Sequence, residues 1–95
     1  MPNKYYHFKV AGYYLYFTSK CIVEAMHVHA SDRKLTEACS AKFFVLEDGS
    51  TTLEEKGNLT ATEINIISKF IKANYLEMYR IWKEFGGAEF FGSRK

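Results

Sequence analysis

The sequence predicts an α+β fold: an antiparallel sheet of four to five strands with one long C-terminal helix packed on one face. Three observations predict it. The stretch from Leu59 to Phe85 carries apolar residues at helical spacing and a complete set of start and stop signals. The residues before it fall into short runs of β-branched and aromatic residues separated by turn signals. The helix is too apolar on one side to stand alone in water and needs a sheet to lie on.

The helix is the best-defined element. Thr60 fits the N-cap and Glu63 the N3 position, which makes a capping box, with Leu59 and Ile64 as its hydrophobic staple. Ile64, Ile67, Ile71, Met78, Ile81 and Phe85 then recur at spacings of three, four and seven, and Phe70, Tyr75 and Trp82 widen the stripe. Gly86-Gly87 supplies the stop. Asn74 lies close to the stripe, where it either marks a bend or turns its amide to the sheet.

Taken in order, Tyr5–Val10 alternates as a first strand, Ala11-Gly12 forms a tight turn, and Tyr13–Thr18 returns. Both sides of that returning strand are apolar, so both are expected to be covered. Cys21-Ile22-Val23 reads as either a strand extension or a buried loop. Met26–Ala30 is a strand with His27 and His29 on one face. Residues 31–40 form a polar loop with room for one helical turn. Ala41–Leu46 is a strand, Asp48-Gly49 a hairpin turn, and Ser50–Glu54 the returning strand. The expected layout is a single domain over 1–95, with a sheet region over 4–56, the helix over 60–86 and a flexible tail over 88–95. In that tail Phe90-Phe91 has the chemistry to dock.

Composition narrows the function. The 95 residues make one domain, and 47% hydrophobic with 25% charged residues is ordinary for a globular chain. A net charge of +2, with scattered basic residues, argues against nucleic acid. No apolar run approaches the roughly 18 residues a membrane span needs. The first residues open no signal peptide, so the expected compartment is the cytoplasm, where Cys21 and Cys39 remain thiols. Aromatic content is high, at 17%. One helix on a small sheet cannot bury so many rings, so some are expected at a surface, with Tyr14, Tyr16 and Phe44 as the candidate interface.

His27 and His29 are the candidate site residues. At i and i+2 on a strand they stand on one side, roughly 6.5–7 Å apart at Cα, within reach of one metal ion or one anionic group. A metal site needs a further donor. His7, Cys21, Cys39, Glu24 and Asp32 are the options nearby in sequence, and none has diagnostic spacing. The alternative is structural: two histidines decorating a sheet face. Catalysis on phosphate would need a general acid or base with cationic groups, for which His27, His29, Lys42 and Arg80 are the right types, though nothing in the sequence brings them together. There is no Gly-rich phosphate loop and no nucleophile elbow.

The order of features resembles a family of small, mostly bacterial proteins known as a domain of unknown function, DUF4160. The resemblance rests on Tyr14-Leu15-Tyr16-Phe17, Met26-His27-Val28-His29-Ala30, Ala41-Lys42-Phe43-Phe44-Val45-Leu46 and Ile81-Trp82-Lys83-Glu84-Phe85-Gly86, and spans roughly residues 4 to 87. Two features depart from it: Ala25-Met26 stands where prolines are usual, and the loop over 31–40 is longer. The family has no established reaction. Its members are often encoded beside another small protein, as toxin–antitoxin pairs are, and this implies a protein partner.

The leading expectation is a cytoplasmic interaction module, a homodimer or the partner of another small protein, with no cofactor and no membrane association. The alternatives are a metal- or phosphate-dependent enzyme centred on His27 and His29, and a nucleic-acid-binding module.

Overall fold

Capping chemistry sets the start of the helix as the sequence dictates. In the computed structural model, which describes residues 2–18, 21–31 and 40–92, α1 runs Ala61–Glu84. The Glu63 N–H donates to Thr60 Oγ1 at 3.2 Å, and the Thr60 N–H donates to Glu63 Oε1 at 2.9 Å, closing both halves of the capping box. At the other end Gly86 takes a φ of +84°, a conformation a side chain would disfavour, and the Gly86 and Gly87 N–H groups return to the carbonyls of Lys83 and Trp82. Asn74 does not turn its amide to the sheet: it donates to the Phe70 carbonyl one turn back, within the helix.

Five strands precede it: β1 Pro2–Lys4, β2 Tyr14–Thr18, β3 His27–Ser31, β4 Ala41–Val45 and β5 Thr51–Glu55. They pair in sequence order, and every neighbouring pair is antiparallel. Together with α1 they make the expected α+β fold. Gly49, with φ +89°, closes the β4–β5 hairpin, while Asp48 Oδ1 accepts from the Ser50 N–H and hydroxyl. A bulge at Lys42/Phe43 shifts the β4–β5 register.

The first hairpin differs from the expectation. Tyr5–Val10 is not a strand. After Lys4 the Tyr5 N–H still bonds to Leu15 O of β2, and the chain then turns back at the isolated Val10–Tyr13 bridge, where Ala11 (φ +55°) and Gly12 (φ +90°) form the expected two-residue turn. The physical reason lies in the aromatics. Tyr5 is buried against Phe17, whereas Tyr6 and Phe8 pack on Phe70 of the helix, and the Tyr6 hydroxyl donates to Glu77 at 2.6 Å. Alternation there serves contacts to two different elements.

Register sorts the side chains. Leu15 opposes Ala30, and Val28 opposes Phe43, so these share a face. With Phe17 and Val45 they form the core into which the helix buries Ile67, Ile71, Met78 and Trp82. Thr51 Oγ1 reaches Ser68 Oγ at 3.2 Å, which ties β5 to α1. Tyr16, His27, His29, Lys42 and Phe44 fall on the opposite face.

After the helix, the chain docks. The Ala88 N–H bonds to Ile22 O, Met26 N–H to Glu89 O and Phe91 N–H to Val45 O. Phe90 stacks on Tyr79 at 3.9 Å, and Phe91 stacks on Phe44 at 4.4 Å. The flexibility expected at 93–95 falls outside the described residues, as does the helical turn expected within 32–39. Among the described residues, no helix is long and apolar enough to cross a membrane.

Candidate functional site

Antiparallel pairing places His29 between Tyr16 of β2 and Lys42 of β4, and His27 opposite Phe44. The two imidazoles therefore share one face, with ring centroids 5.0 Å apart and planes nearly perpendicular. Both are buried, His27 with 1% and His29 with 2% of its surface exposed. Buried imidazoles are costly unless their nitrogens find polar contacts. His27 Nδ1 lies 2.8 Å from the Ala25 carbonyl oxygen. A carbonyl only accepts, so Nδ1 carries the proton, and a neutral ring then keeps its lone pair on Nε2. The Tyr16 ring lies 5.4 Å from His29, and its hydroxyl is 2.7 Å from Ser40 Oγ.

The third member comes from the segment whose structure the sequence left open. Cys21–Val23 is a single 3-10 turn, and Cys21 is buried in it. It folds back so that Cys21 Sγ and one nitrogen of each histidine lie within 4.8 Å of one another. The Thr18 N–H donates to that sulfur at 3.3 Å, and the Thr18 hydroxyl oxygen is 3.2 Å from it, a pair in which either atom can be the donor. The docked C-terminal segment holds the turn in place, bonding to Ile22 within it and to Met26 after it.

Charge surrounds the cluster on its solvent side. Lys42 Nζ pairs with Glu24 Oε1 at 2.8 Å. The Lys42 hydrogen bond holds the Glu24 carboxyl below its ordinary range, against the opposing effect of burial. Burial works against the Lys42 charge, but the Glu24 contact outweighs it and holds the ammonium above its usual value.

Of the candidates named from sequence, His27 and His29 come together, and Lys42 stands beside His29 on the neighbouring strand, engaged with Glu24. Cys21 joins them. His7 is exposed in the β1–β2 connection and Arg80 is exposed on α1; Asp32 and Cys39 lie outside the described residues. Of the three aromatics named for an interface, Tyr16 is fully buried and presents no surface, Phe44 is capped by Phe91, and half-buried Tyr14 has Lys4 Nζ 3.9 Å from its ring centroid. Sequence reasoning missed Thr18; it named Phe90-Phe91 as able to dock but not the backbone bonds of residues 88 and 89 to Ile22 and Met26. Cys21-x5-His27-x-His29 was the available signal, and its spacing is not diagnostic without knowledge of the turn.

The fold and the buried polar cluster define a class: a small antiparallel meander with one helix and an inward-facing Cys/His group. Residues 12–83 match the family described as a domain of unknown function (DUF4160), and the chain belongs to that family. The matched span contains Cys21, His27 and His29. No curated protein and no solved structure matches the chain.

Proposed function

We propose that this protein is a cytoplasmic interaction module that associates with itself or with another small protein, in the manner of a toxin–antitoxin pair. One observation supports the reading above the rest: an aromatic surface built across the β1–β2 connection and the helix. Phe8 is 53% exposed, stacks on Tyr6 at 5.0 Å and meets the edge of Phe70 at 6.0 Å. Ile66, one turn before Phe70 on the same flank of α1, is 44% exposed. Clustered aromatic and aliphatic surface of this kind is typical of contact sites between proteins. This surface supports the sequence-level argument that the rings exceed the core space.

Light scattering on the purified chain, alone and co-expressed with the product of the adjacent gene, tests the reading. The expected result is a mass above the 11.0 kDa monomer in one of the two preparations, lost in a Phe8→Ser/Ile66→Ser double variant that keeps its helical circular dichroism. A strict monomer in both preparations, or an association the double variant leaves unchanged, overturns it.

A further inference from the structure

We infer that Cys21, His27 and His29 form a binding site for a transition-metal ion of the zinc class. Three independent features carry the inference, apart from the interaction surface. The first is the donor set. One thiolate and two imidazoles suit zinc, cobalt or another borderline divalent metal, and disfavour magnesium and calcium, which take oxygen ligands. The second is geometry. The three ligand atoms lie within 4.8 Å of one another. A tetrahedral zinc with Zn–S of about 2.3 Å and Zn–N of about 2.0–2.1 Å sets its ligands about 3.3–3.6 Å apart. Closing the set therefore takes about 1 Å of movement at the ligand atoms, a distance within reach of side-chain rotation. Three protein donors leave the fourth tetrahedral position for water or an added ligand.

The third feature is the shell behind the donors. Metal-binding histidines donate their other ring N–H to a fixed acceptor, which sets the tautomer. His27 does so, from Nδ1 to Ala25 O, which leaves Nε2 to bind. Thiolates are held by N–H and O–H donors: the Thr18 N–H donates to Cys21 Sγ, and the Thr18 hydroxyl, 3.2 Å away, is placed to donate once the sulfur is a thiolate. The Thr18 hydroxyl touches the sulfur and no ion, so Thr18 is a positioning residue. Binding replaces the thiol proton by the metal, and the proton leaves to solvent.

The experiment uses the full chain, stripped of metal with a chelator and titrated with cobalt(II), then zinc(II). The expected result is one ion per chain, with a sulfur-to-cobalt charge-transfer band that zinc abolishes. Cys21→Ser loses the band and weakens zinc binding by more than about 100-fold, whereas Thr18→Val keeps the band and weakens binding by about 10–100-fold, the range for an outer-shell partner. If Cys21→Ser does not fold, His27→Gln takes its place, read by the same loss of zinc affinity. No uptake by the wild-type chain overturns the inference, as does a folded Cys21→Ser or His27→Gln chain that binds zinc as tightly as wild type.

Discussion

The two faces of the sheet are built on different terms. The face under α1 is apolar at its centre: Leu15, Phe17, Val28, Phe43 and Val45 meet Ile67, Ile71, Met78 and Trp82, and burial of area dominates its chemistry. The other face is buried at its centre just as deeply, yet what it buries is Tyr16, His27, His29, Ser40 and a thiol. Groups of that kind need defined partners to be tolerated away from water. One face is held by buried apolar area and the other by partnered polar groups, and Trp82 reaches both, its ring lying 5.6 Å from that of His27.

Breaking the helix side should have the largest effect. Trp82 is fully buried, lies 5.2 Å from Phe17, and donates from Nε1 to the Ala88 carbonyl at 2.7 Å. Trp82→Ala is expected to cost about 3–5 kcal/mol, read by denaturant titration. Gly87→Ala should approach the same loss by a different route, because a Cβ there would overlap the Trp82 indole.

A pH dependence sharpens the role of the tail that joins the two faces. Tyr79 donates to Glu89 at 2.6 Å. That hydrogen bond, with burial and the carboxylate charge adding to it, pushes the Tyr79 phenol up to about 12. A folded value above the unfolded one means that the stabilisation is complete below about pH 10 and is lost as pH rises towards 12. Thermal melts in that window should show stability falling, and Tyr79→Phe should flatten the fall. Glu24→Gln, on the rim of the polar face, should change stability least. Its carboxylate is half exposed, so the Lys42 pair is worth no more than about 0.5 kcal/mol, and that difference should shrink in high salt.

The same division explains what could be read from the sequence. Thr60, Glu63, Gly86 and Gly49 act through neighbours a few residues away, so the helix limits and the β4–β5 turn followed from local chemistry. His27 and His29 share a face because alternation in a strand is local too. Tyr5–Val10 misled because alternating rings look alike whether they line a sheet or divide between sheet and helix. Cys21 was only one of several options, since its position depends on a 3-10 turn held by residues 88 and 89. A contact across more than sixty residues leaves no periodicity to read.

We infer that the Cys21, His27 and His29 group serves metal binding and is not what keeps the chain folded. Melting of wild type, Cys21→Ser and Trp82→Ala, each with and without zinc, tests it directly. Without metal, Cys21→Ser should lose about 1–2 kcal/mol at most, well short of Trp82→Ala. Zinc at a hundredfold excess over Kd should then stabilise wild type by about 2.7 kcal/mol and leave Cys21→Ser unmoved. A metal-free Cys21→Ser that melts as low as Trp82→Ala, or a wild-type chain indifferent to zinc, would contradict the account.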